Sequence, residues 1–234
     1  MRRAVVLLSG GLDSAVTLAE AGEAGFEAHA LTVRYGQRHA LEVERAAEVA
    51  VALGAASHRV VAVDLAFPGG SALTDPAIPV PKGRGSAAIG AGVPATYVPA
   101  RNTVLLSIAL ALAETLGARD LFLGVNAVDY SGYPDCRPAF LAAFEDLAAV
   151  ATRLGAEGGR FEVHAPLLHM SKADIVRRGL ALGVDLSRTL SCYDPGPDGE
   201  PCRACDACHL RARGFAEAGV PDPALALPGR RGAG

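Results

Sequence analysis

The chain has 234 residues, 50% of them hydrophobic, and a formal net charge of −3. That length buries one full α/β core plus an appendage, and the charge balance excludes bulk nucleic-acid binding through a basic field. Residues 104–112, apolar apart from Ser107, fall far short of the roughly 20 residues of a membrane span. The short run after Arg2 and Arg3 ends too soon for a signal peptide, so a cytoplasmic protein without a membrane partner is expected.

Residues 4–8 (Ala-Val-Val-Leu-Leu) have the length and branching of a buried parallel strand. A helix should open near Leu12, and Ser9, Gly10, Gly11, Leu12, Asp13 and Ser14 form the junction. Strand, tight turn and helix N-terminus in that order aim backbone N–H groups and roughly half a unit of positive charge at one point. Gly10 and Gly11 admit close approach, and Ser9 and Ser14 add hydroxyls, so the stretch from Leu8 to Ser14 is a phosphate-loop candidate. Asp13 opposes an anion; it must cap the helix, orient the loop or hold a metal ion. A Walker loop is excluded, since that needs Lys before Ser or Thr.

A second strand follows at 27–33, then Tyr35-Gly36-Gln37-Arg38-His39, a helix over 40–53 and a third strand over 58–65. This half predicts a doubly wound, Rossmann-like parallel sheet with helices on both faces and a ligand site at the carboxyl ends of its strands. Residues 66–95, rich in Pro, Gly, Ser and Ala, are too long for an inert connection; such a loop is a lid or disordered, and a lid is the favoured reading. The second half should hold a helix over 103–116, a strand over 120–125, a helix over 139–154 and a strand over 160–165. Ser171-Lys172-Ala173-Asp174 has the form of a capping box opening a helix to Leu182, and the chain from Pro221 onward looks frayed.

Arg101 and Asn102 head a helix at a strand end, where Arg suits an acidic substrate or a phosphate. Lys172, one of only two lysines, is a candidate phosphate contact. The loop Asp129-Tyr130-Ser131-Gly132-Tyr133-Pro134-Asp135-Cys136-Arg137 has hardly any aliphatic side chain, which favours substrate recognition over packing. Its tyrosines could stack on a planar base while its carboxylates accept from ring N–H groups. Cys136 is either a nucleophile or a bystander. Cys192, Cys202, Cys205 and Cys208 suit a closed, structural zinc shell in a reducing compartment, with His209 beside them as a surface residue.

The Ser9 to Ser14 stretch resembles the pyrophosphate loop S-G-G-x-D-S of the ATP pyrophosphatases. With Tyr35 to His39, Val98 to Asn102, Gly124 to Arg137 and the cysteine quartet, the chain resembles the 7-cyano-7-deazaguanine synthase family of queuosine biosynthesis. The resemblance implies an adenine nucleotide alpha hydrolase type of fold over residues 1–185, a zinc-binding lobe over 186–222 and a flexible tail over 223–234. It implies a ligase that joins 7-carboxy-7-deazaguanine and ammonia at the expense of ATP, with magnesium beside the ATP, structural zinc and a homodimer. Asp13, Ser14, Lys172 and Arg101 then fall to catalysis, residues 8–14 with Asn102 to ATP, and Asp129, Tyr130, Tyr133, Asp135 and Arg137 to the deazaguanine. Two departures stand out: Arg34 where an acidic residue is usual, and Arg203-Ala204 where glycine is expected after Cys202. A tRNA-modifying adenylating enzyme and a non-catalytic nucleotide-binding protein are the rival readings; the first lacks its basic surface, the second has no use for the 129–137 loop.

Overall fold

A computed structural model describes residues 1–38, 41–85, 89, 92–126 and 132–226. Five parallel strands run in the order β3-β2-β1-β4-β5: β1 (Arg2–Leu7), β2 (Phe26–Arg34), β3 (Ser57–Ala62), β4 (Asp120–Phe122) and β5 (Glu162–His164). Alternation along β1 divides the core. Ala4, Val6 and Leu8 face α1 (Leu12–Glu23), α2 (Leu41–Ala52), α6 (Lys172–Ala181) and Phe215, whereas Val5 and Leu7 face α3 (Arg101–Leu116) and α4 (Pro138–Ala151). A strand buried on both faces reads as a continuous apolar run, as residues 4–8 do. The winding reverses between β1 and β4, and a crevice opens there at the carboxyl ends of the strands.

Strands expected over 58–65, 120–125 and 160–165 are shorter. Isolated bonds continue past β3, from Val63 N–H to Arg34 and Leu65 N–H to Tyr35, but Gly36 at φ 87° turns the neighbouring chain out of the ladder. Leu65, Leu123 and Val125 stay buried by packing beside the crevice. The helix expected over 139–154 breaks at Thr152, which is extended and caps α5 (Arg153–Ala156) by accepting from Gly155 N–H at 3.1 Å. The capping box at Ser171 and Asp174 forms as expected. Among the helices, α7 (Asp206–Ala218) is hidden in the sequence by the cysteine run that opens it.

The described part of the segment expected to be a lid is a wall. Ala72 N–H donates to Ala95 O, the Arg38 guanidinium donates to the Asp75 and Ile78 carbonyls, and Gly83 N–H donates to Ala204 O. Lys82 pairs with Asp194 at 2.7 Å, and Arg84 pairs with buried Asp206.

The end of the described chain is likewise tied down where fraying was expected. Arg211, on α7, donates to both oxygens of Asp222 at 2.7 and 2.9 Å and to the carbonyl of Leu186 and hydroxyl of Thr189, with side chains 9% and 5% exposed. A short helix, α8 (Pro223–Ala226), follows. Removing one partner of such a buried pair strands the other charge at a cost of about 3–5 kcal/mol. Asp222→Ala should therefore lower unfolding stability by that amount in a urea titration; a loss under about 1 kcal/mol, typical of an exposed pair, would contradict this reading.

Candidate active site

The crevice is a cavity of about 240 Å³. Its floor is the junction between β1 and α1. Ser9 and Ser14 line the cavity and also brace that turn: Ser14 Oγ accepts from Ser9 N–H at 3.1 Å and donates to Gly11 O at 3.0 Å. The N–H groups of Gly11 and Leu12 donate to hydroxyls of Ser9 and Ser191, partners that an incoming anion can replace. Gly10 lies at φ 81°, and a Cβ there would stand 2.5 Å from Glu42 O and 2.7 Å from Ala46 N, so only glycine lets α2 rest on the turn.

Asp13 and Lys172, separate candidates in the sequence, are one unit. Lys172 Nζ donates to both oxygens of Asp13 at 2.8 Å, with the lysine side chain 4% exposed. Gly214 makes room for the lysine stem, since a Cβ there would stand 2.9 Å from Lys172 Cβ. Across the cavity Arg101 lies at the start of α3, after Ala100 in the left-handed region at φ 55°. Its guanidinium stands over the Tyr35 ring at 5.6 Å and donates to Tyr35 Oη at 3.4 Å. Among the described residues no carboxylate lies within salt-bridge distance of it, so its charge is available to an acidic ligand.

Asn102, Asp135 and Cys136 form a knot beside this wall. Asn102 N–H donates to Asp135 Oδ2 at 3.0 Å, and Asn102 Nδ2 donates to Asp135 O at 2.9 Å. Asp135 is buried and caps α3; unlike Asn102 and Cys136, it does not line the cavity. Burial, reinforced by Asp135, pushes the Cys136 thiol up to about 12, which makes it a poor nucleophile at neutral pH. Tyr133 lines the cavity, its hydroxyl 2.6 Å from Thr96 Oγ1, whereas Arg137 is exposed outside it. Asp129 and Tyr130, with His39 of the second motif, lie outside the described residues.

The remaining wall comes from the cysteine lobe, a contribution that local sequence reading missed. Leu190, Ser191, Tyr193, Ala207 and Arg211 line the cavity, and Leu190 N–H donates to Gly10 O at 3.0 Å. Cys192, Cys202, Cys205 and Cys208 bring their sulfurs within 4.8 Å of one another, with Cys202 and Cys208 at 4.0 Å. A zinc–sulfur bond of about 2.3 Å gives a tetrahedron with edges of about 3.8 Å, so the quartet can hold zinc. Backbone N–H groups of Asp194 and Cys202 point at Cys192 Sγ, and that of Cys205 at Cys202 Sγ, as suits thiolates. Arg203, next to Cys202, occupies the left-handed region at φ 60°, the position where glycine would be unstrained. Exposed His209 is not among the ligands.

The family described as queuosine biosynthesis protein QueC matches residues 3–219. A 7-cyano-7-deazaguanine synthase of an Anaeromyxobacter species is 66% identical over 224 residues, 96% of each chain. One of Paramagnetospirillum magneticum is 60% identical, over 96% of this chain and 98% of that one. Among solved structures, a predicted subunit of tRNA methyltransferase from Methanocaldococcus jannaschii superposes with a TM-score of 0.50 at 16% identity, over 99% of this chain and 94% of that one, a likeness of fold alone.

Zinc held by four thiolates contributes on the order of 10–16 kcal/mol in small peptides, comparable to the whole net stability of a domain, about 5–15 kcal/mol. Cys205→Ser should lose the metal and loosen the cavity wall, whereas Cys136→Ser should keep one zinc per chain by elemental analysis. Wild-type protein purified without zinc, or zinc lost from Cys136→Ser, would contradict the assignment.

Proposed function

This chain belongs to the QueC family of queuosine biosynthesis proteins, and from that premise we propose that it is an ATP-dependent carbon–nitrogen ligase making 7-cyano-7-deazaguanine from 7-carboxy-7-deazaguanine and ammonia. The observation that carries the reading is one cavity holding a phosphate loop, a lysine-bound aspartate and, opposite them, an arginine with no carboxylate partner among the described residues.

A carboxylate does not react with ammonia at neutral pH, so its oxygen must first take AMP from ATP, with pyrophosphate leaving. The turn at residues 9–14 offers N–H groups to that leaving charge, and Lys172 adds its cation. Arg101 pairs with the substrate carboxylate and turns one oxygen toward the α-phosphate. Ammonia displaces AMP to give the amide. A second adenylation on the amide oxygen then lets AMP carry that oxygen away, leaving the nitrile. Asp13 is the loop carboxylate that would hold a magnesium ion, which when bound would offset the triphosphate charge. Asp129, Tyr130 and Tyr133 read the deazaguanine ring, and Asp135 serves them by holding the turn that Asn102 clasps. No helix among the described residues is long and apolar enough to cross a membrane. A homodimer is what the family resemblance implies, and light scattering reads it directly.

Turnover should release AMP and pyrophosphate, only when the deazaguanine acid is present, and Asp13→Ala should abolish it while the far-ultraviolet circular dichroism is unchanged. Chromatography of the nucleotides decides: ADP with phosphate, or ATP cleavage that ignores the acid, would contradict the reading.

A further inference from the structure

Ammonia brings protons on its nitrogen, and a nitrile keeps none of them. As the amide forms, the C–N bond is made, the C–O bond to AMP breaks with its electron pair leaving on the phosphate oxygen, and one N–H proton must go. As the nitrile forms, AMP leaves again with its electron pair, and the remaining N–H protons must go. The cavity therefore needs a group that accepts a proton and hands it on, distinct from the groups that hold phosphate.

Most titratable groups lining the cavity are already engaged. Asp13 is bound through both oxygens by Lys172. Cys136 holds its proton at neutral pH, and burial keeps Tyr35 and Tyr133 protonated as well. The other carboxylate among the described lining residues is Glu42, in the first turn of α2, where the α2 backbone rests on Gly10. Among the described residues no hydrogen bond or ion pair engages it. It faces Arg101 from the start of α3 and Tyr35 from the end of β2, with Arg38 and the Asp13–Lys172 pair lining the same cavity.

We propose that Glu42 is the proton acceptor for nitrogen in both halves of the reaction, a catalytic residue beyond the adenylation machinery. The assignment rests on the two-adenylation reading above. The surroundings of Glu42 suit a base, because burial, only partly offset by Arg101, raises the carboxyl to about 7, so it exchanges a proton readily near neutral pH. The base form is the ionised one, so the steps that consume it should quicken as pH rises through that value.

The test uses E42Q, which keeps the side-chain shape and removes the acceptor, supplied with the amide intermediate and ATP. Starting from the amide removes ammonium, whose own titration would quicken the rate in the same direction. Wild-type nitrile formation should rise with pH through about 7. E42Q should lose about 10²–10⁴-fold in kcat with little change in KM, and lose that pH limb. Exchange of labelled pyrophosphate into ATP, driven by the acid, transfers no nitrogen proton and should persist in E42Q, which also reports that the variant is folded. Nitrile formed at the wild-type rate, a retained limb, a loss confined to KM, or exchange lost in step with turnover would each overturn the proposal, the last two making Glu42 a binding group. Wild-type enzyme that leaves the amide unreacted would contradict the two-adenylation reading instead, and the rate of amide formation from acid and ammonia in E42Q would then decide Glu42 by itself.

Discussion

A turn proposed to bind phosphate through backbone N–H groups must be rigid, yet it must not spend those groups on internal carbonyls. On that reading the constraint organises the cavity. Ser9 and Ser14 brace the turn with hydroxyls, Gly10 lets α2 rest on it, and Leu190 donates to Gly10 O from the opposite side. The donors of Gly11 and Leu12 are left to hydroxyls, which exchange partners at small cost because hydrogen bonds to a charged group are the stronger ones. Asp13, awkward beside an anion, is compensated by Lys172 from α6.

The same constraint explains why a cysteine lobe belongs in the site. Leu190 and Ser191 touch the turn just before Cys192, and Tyr193 lines the cavity just after it, so whatever orders the quartet orders this wall. Arg211, held by Asp222, fixes the run just before this wall by donating to the Leu186 carbonyl and the Thr189 hydroxyl, and the 66–85 segment leans on the lobe through Lys82 and Arg84. Cysteine quartet, ion pair and segment thus form one support for a site whose proposed chemistry needs water kept from an acyl adenylate.

What the sequence discloses is local. The strand into Leu8, the helix from Leu12, the capping box at Ser171 and the cysteine quartet are each written in a few adjacent residues, and each forms. Contacts between distant residues are not. Nothing adjacent to Lys172 announces that it binds Asp13, and Asp222 looks like tail because it reaches Arg211 only where the chain turns back after α7. Asp135 reads as a ligand for a base, yet its neighbour in space, Asn102, claims it as a helix cap. Glu42 escapes notice because a glutamate opening a helix is ordinary, and burial opposite Arg101 gives it a different proton affinity. Apolar runs overstate β3 and β4 because residues past the strand ends are buried beside the cavity and outside the ladder.

The central claim is that one cavity adenylates the same carbon substituent twice, each time surrendering an oxygen to AMP. Supplying the deazaguanine acid with both carboxylate oxygens as the heavy isotope tests it most directly, with the label followed by mass spectrometry of the products. One labelled oxygen is expected in every AMP formed, and none in pyrophosphate or solvent water. Label in pyrophosphate or water, or AMP of which only half is labelled, would contradict it.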